Sequence, residues 1–138
     1  MTPAPWPSVV LDSEGLWAVA RNDSDETKAV LKASHKAGVP VFVPAAVLAE
    51  TLFGDARDVR ANQALKKLQV VPLTDPIARA AAVLKRLAGM AGVAATIDAI
   101  VVATSAAAGG GVVLTSDVDD IRALGTCASG ARIRPVRI

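Results

Sequence analysis

Apolar residues fall into short β-branched runs that alternate with longer helical patterns. Ser8–Leu11 (SVVL) stops at Asp12 and predicts a buried strand. Ser13 is the expected cap of the helix that follows, with Glu14 in a first turn that favours carboxylates and Leu16, Trp17, Val19 and Ala20 on the apolar face. A second helix is expected from Asp25 to Lys36, stopped by Gly38. Val39–Val43 predicts a second strand, closed by Pro44, and the helix from Ala45 carries Val47, Leu48, Glu50 and Leu52. Further along come a helix over 57–68, a strand over 70–73, and a helix capped by Thr74 that runs to about Met90. Thr96–Ala108 reads as a buried helix, Gly109–Gly111 as the turn that ends it, and Val112–Leu114 as a fourth strand. A short helix over 118–124 and an edge strand over 132–137, suited by Pro135 and its charges, complete the chain.

Strands alternating with helices predict an α/β fold: one domain, with a central parallel sheet of four or five strands flanked by helices on both faces. A length of 138 residues suits a single core over the whole chain, with residues 1–7 expected as a flexible N-terminal arm. The apolar share of 52% against 20% charged excludes a disordered chain. One cysteine, Cys127, excludes an internal disulfide, and one histidine, His35, argues against a His-ligated metal cage or a Ser-His-Asp triad. An aromatic share of 3% argues against base stacking on aromatic platforms, and a net charge of +2 is too mild to mark a nucleic-acid binder. No stretch reads as a secretion signal or membrane span, so a cytoplasmic location is expected.

The informative feature is where the acids stand. Two strands end in carboxylates, VVL-Asp12 and VVL-Thr-Ser-Asp117. Parallel strands end on one side, so both should reach the same sheet edge, where such sheets bind ligands. Glu50 interrupts an apolar helical turn, and Asp98 lies near the start of the apolar helix TIDAIVVAT. Two carboxylates ~4 Å apart repel by roughly 4 kcal/mol at an effective dielectric near 20. Four in one hollow must therefore protonate, pair with a base or hold a cation. No Lys or Arg interrupts these segments, and oxygen-only ligands point to one or two Mg²⁺ or Mn²⁺ ions. Such a site suits phosphodiester hydrolysis.

The segments VVLDSEGL, AAVLAE, TIDAIVVATSA and VLTSDVDDIRAL, in that order from Val9 to about Leu124, resemble PIN-domain ribonucleases, and most of all VapC toxins of toxin–antitoxin pairs. The resemblance implies Mg²⁺- or Mn²⁺-dependent RNA cleavage that leaves a 3′-hydroxyl, a homodimer, and inhibition by a VapB-type antitoxin. It implies Asp12 and Asp98 as principal metal ligands, Glu50 as a ligand or water-positioning group, and Asp117 as the fourth acid. Asp119 is the favoured extra acid over Asp120, and Thr115 orients a carboxylate.

Each signal has a plainer reading. Asp12 and Asp98 could be helix N-terminal acids and Glu50 a surface glutamate; Arg57, Arg60, Lys66 and Lys67 are first a solvated helix face. A non-catalytic PIN-like module that binds RNA or protein is the main alternative function. A phosphate-receiver domain fits poorly, because Asp12 has no acidic neighbour on its strand and no lysine directly follows the strand that ends at Leu73.

Overall fold

The computed structural model describes residues 6–138. Five strands form one sheet: β1 (Val9–Leu11), β2 (Val41–Pro44), β3 (Gln69–Val71), β4 (Gly110–Thr115) and β5 (Arg132–Arg137). Their order is β3-β2-β1-β4-β5, and every pairing is parallel. Among the described residues seven α-helices accompany them: α1 (Ser13–Arg21), α2 (Asp25–Ala37), α3 (Ala45–Thr51), α4 (Val59–Leu65), α5 (Asp75–Leu87), α6 (Thr96–Ala107) and α7 (Val118–Thr126). The chain leaves β1 in one direction for β2 and β3, then returns to the other side of β1 for β4 and β5. Parallel crossovers are right-handed as a rule, so crossovers that leave β1 in opposite directions put helices on both faces of the sheet.

Burial follows the sequence pattern. β1 and β4 are continuous apolar runs because both are central and covered on both faces. Val9, Val10, Leu11, Val113 and Leu114 are wholly buried. α6 contributes seven consecutive buried residues, Ala99–Ser105, so it lies inside the protein rather than on it. Each fully buried Val or Ile there contributes about 1.5–3 kcal/mol.

Several boundaries differ from the sequence reading, each for a local reason. Gly110 and Gly111 belong to β4 rather than to the turn. A side chain at Gly111 would collide with the backbone of Ser8, and the residue sits at φ 133, so glycine there permits close strand approach. The helix expected over 57–68 divides into a 3-10 turn (Ala56–Asp58) and α4. Buried Asp58 causes the break: its carboxylate accepts the N–H groups of Phe53 and Gly54 at 2.9 and 2.7 Å. α5 ends at Leu87, short of Met90. Gly89 at φ 69 turns the chain, and Met90 N–H closes on the Lys85 carbonyl at 2.8 Å, a glycine-terminated helix end. Of the arm expected over 1–7, residues 1–5 lie outside the described residues; Trp6 packs against the core. No helix among the described residues is long and apolar enough to cross a membrane.

Candidate functional site

β1 and β4 are neighbours that connect to opposite halves of the sheet. The crevice beyond their carboxyl ends is the topological switch point, where open α/β sheets bind ligands. Asp12 follows β1 directly, and Asp117 lies two residues beyond β4.

Asp12 is 5% exposed. Its Oδ1 accepts the Gly15 N–H at 2.8 Å, so Asp12 itself caps α1, the role expected of Ser13. The site and cap readings of Asp12 are therefore compatible. Gly15 makes the arrangement possible: a Cβ there would stand 2.6 Å from the Leu114 carbonyl oxygen. Only glycine lets the first turn of α1 press onto the end of β4. Thr115, wholly buried, joins the two strand ends. Its hydroxyl oxygen accepts the Asp117 N–H at 2.8 Å, and it hydrogen-bonds the Asp12 carboxylate. Burial pushes the Asp12 carboxyl up to about 6, helped by the charges of Asp117 and Glu14 and opposed by the bonds from Thr115 and Gly15.

Asp98, in the first turn of α6, is pushed up to about 7. Burial is the largest cause, followed by the charges of Asp117, Asp12, Asp120 and Glu50. Four carboxylates from three other segments thus act on one. Asp98, Asp117 and Asp120 each offer an oxygen within 4.8 Å of the others. Ser13, released from capping, donates from Oγ to Glu50 Oε1 at 2.5 Å and ties α1 to α3.

The structure separates the two acids of α7. Asp120 joins the cluster. Asp119 does not: its side chain is 94% exposed and lies 3.6 Å from Arg122. The signal was present in the spacing. Asp120 stands three residues after Asp117, one helical turn on, whereas Asp119 is rotated away. The Ser13–Glu50 bond had no sequence signal, since it depends on how α1 and α3 pack.

Among the described residues no ion pair reaches Asp12, Glu50, Asp98, Asp117 or Asp120; the arginines that form pairs do so elsewhere, as Arg57 with Asp55 and Arg79 with Asp75. Asp12 is buried and Asp98 half-buried, whereas Asp117, Asp120 and Glu50 are exposed; such a set of mutually repelling oxygen donors fits a hard divalent cation reached from solvent. Asp98, Asp117 and Asp120 bring their oxygens together to hold it, and Asp12 and Glu50 are near enough to act on Asp98 without joining that group.

Comparison with known proteins gives a consistent picture. The PIN domain family matches residues 9–125. No curated protein matches the chain. Among solved structures, VapBC2 from Rickettsia felis bound to a DNA fragment from its promoter has a similar chain, with TM-score 0.62 and 12% identity, covering 93% of this chain and 98% of that one. DNA-bound VapBC from Salmonella typhimurium gives TM-score 0.62 at 14% identity, covering 93% and 97%. FitAcB from Neisseria gonorrhoeae gives TM-score 0.61 at 18% identity, covering 91% and 96%. At these identities the likeness is one of fold.

Proposed function

The chain belongs to the PIN domain family, and on that premise we propose that it is a Mg²⁺- or Mn²⁺-dependent endoribonuclease, a toxin held inactive by a cognate VapB-type antitoxin. The observation that carries this reading is the group of Asp98, Asp117 and Asp120 oxygens within 4.8 Å of one another at a sheet switch point, with no cation paired to any of them among the described residues. The VapC-like motifs and the fold shared with VapBC complexes support the toxin and antitoxin assignment. The active form is proposed as a homodimer in the cytoplasm.

In this reading Asp12, Asp98 and Asp117, with Asp120, hold one or two ions. A bound ion would polarise the phosphoryl group and lower the pKa of the attacking water. The protein supplies the rest. Thr115 and the Gly15 N–H fix the Asp12 carboxylate at the end of β1. Glu50, fixed by Ser13, positions the water and takes its proton; the bond from phosphorus to the 3′-oxygen breaks, and that oxygen takes a proton from solvent, leaving a 3′-hydroxyl and a 5′-phosphate.

Purified protein with Mn²⁺ should cut single-stranded RNA, and Asp12→Asn and Asp98→Asn should each abolish cleavage. Cleavage that persists in both variants refutes the site. RNA binding with no cleavage under any divalent ion would favour the non-catalytic module.

A further inference from the structure

β5 also runs parallel to β4, with Arg137 in register with Thr115, so Arg137 is delivered to the same edge as the acids. A cavity of about 310 Å³ lies there, lined by Ser116, Asp117, Val118, Asp119, Asp120 and Arg137. Three carboxylates share this hollow with one guanidinium, yet Arg137 pairs with none of them. It donates from Nη1 to the Ser116 carbonyl at 3.1 Å instead. A carbonyl holds the group in place without cancelling its charge. A guanidinium has five donors in a planar fork, and one tether leaves most of them free for an oxyanion.

We propose that Arg137 forms a phosphate subsite beside the acidic cluster: it grips a backbone phosphate of the RNA next to the scissile one and sets the register of the strand across Asp117 and Asp120. The inference rests on the nuclease reading above and names the anion-binding half of that site. Acids alone would repel a polyanion, and a bound ion would be engaged at the scissile phosphate. A fixed positive charge on the adjoining wall gives the neighbouring phosphate a partner through charge-assisted hydrogen bonds.

The test separates charge from tether. Arg137→Gln retains a side-chain donor for the Ser116 carbonyl and removes the charge; Arg137→Lys retains the charge and loses the fork. With a short fluorescent oligoribonucleotide and Mn²⁺, Arg137→Gln should lose roughly 10- to 100-fold in kcat/KM, mostly through KM. Arg137→Lys should recover part of the loss, and the Mn²⁺ affinity of both should match wild type. In a cleavage-dead Asp98→Asn background, adding Arg137→Gln should weaken binding of the same oligonucleotide and reduce its salt dependence by about 0.7 in slope, the signature of one lost phosphate contact. If wild type cleaves and Arg137→Gln matches it, or if Arg137→Gln loses Mn²⁺ affinity, the subsite is wrong and Arg137 is only a loop tether. If wild type neither cleaves nor binds the oligonucleotide, the nuclease reading falls and the subsite with it.

Discussion

Removing the charge of Asp98 should make the metal-free protein more stable while destroying its activity. The Asp98 carboxyl rises from 3.8 to about 7 on folding. Between those values the folded chain keeps a proton that the unfolded chain has released, so stability falls as pH climbs through the window and levels off above it. At ~1.4 kcal/mol per pH unit the ceiling is about 4 kcal/mol. Asp98 is partly open to water, and screening reduces this to about 1–2 kcal/mol. Asp98→Asn removes that cost, which for a chain of this size should raise Tm by roughly 3–8 °C at pH 8 in EDTA. The gain should shrink as pH falls towards 4, where the folded wild-type carboxyl is neutral and the unfolded one is about half protonated. Saturating Mn²⁺ should reverse the order, since binding at about 100 times Kd adds ~2.7 kcal/mol to a competent site and little to the variant. Melting curves over pH 4–8, with and without Mn²⁺, measure all three effects. A variant that melts below wild type at pH 8 in EDTA would show that Asp98 is a structural hydrogen-bond acceptor and would overturn the repulsion argument.

The two acids of α7 should differ: Asp120→Asn should weaken Mn²⁺ binding and cleavage by tenfold or more, whereas Asp119→Asn should leave both within twofold, as titration and cleavage assays would show. Gly15→Ala should cost about 1–3 kcal/mol in urea unfolding and should lower activity, because the new Cβ must push α1 off the Leu114 carbonyl that positions Asp12. Asp58→Ala should cost about 3 kcal/mol by leaving the Phe53 and Gly54 N–H groups without their carboxylate.

The acids were readable in the sequence because each violates its surroundings. A carboxylate closing a buried strand, as at Asp12, or opening a buried helix, as at Asp98, is costly without a partner, and parallel topology brings strand ends together. The fold was readable for a related reason: β1 and β4 are apolar throughout because both faces are covered. Less visible was anything that depends on packing between elements. The choice between Ser13 and Asp12 as cap turned on Ser13 meeting Glu50 across two helices. Gly110 and Gly111 read as a turn because the pressure of the Ser8 and Arg132 backbones on β4 leaves no local trace. Asp58 broke a helix through two backbone bonds that periodicity does not register. The sequence reading favoured Asp119, whereas the structure puts Asp120 with Asp98 and Asp117; its spacing of one helical turn from Asp117 was the signal that reading passed over.

The central claim is that one divalent ion, or two, sits among these carboxylates. Anomalous diffraction from crystals grown with Mn²⁺ tests it most directly. The account predicts a peak beyond the ends of β1 and β4, with oxygens of Asp98 and Asp117 and at least one of Asp12 and Asp120 within coordination distance. An empty hollow at saturating Mn²⁺, or a peak bound only by Asp119 and surface groups, would contradict it.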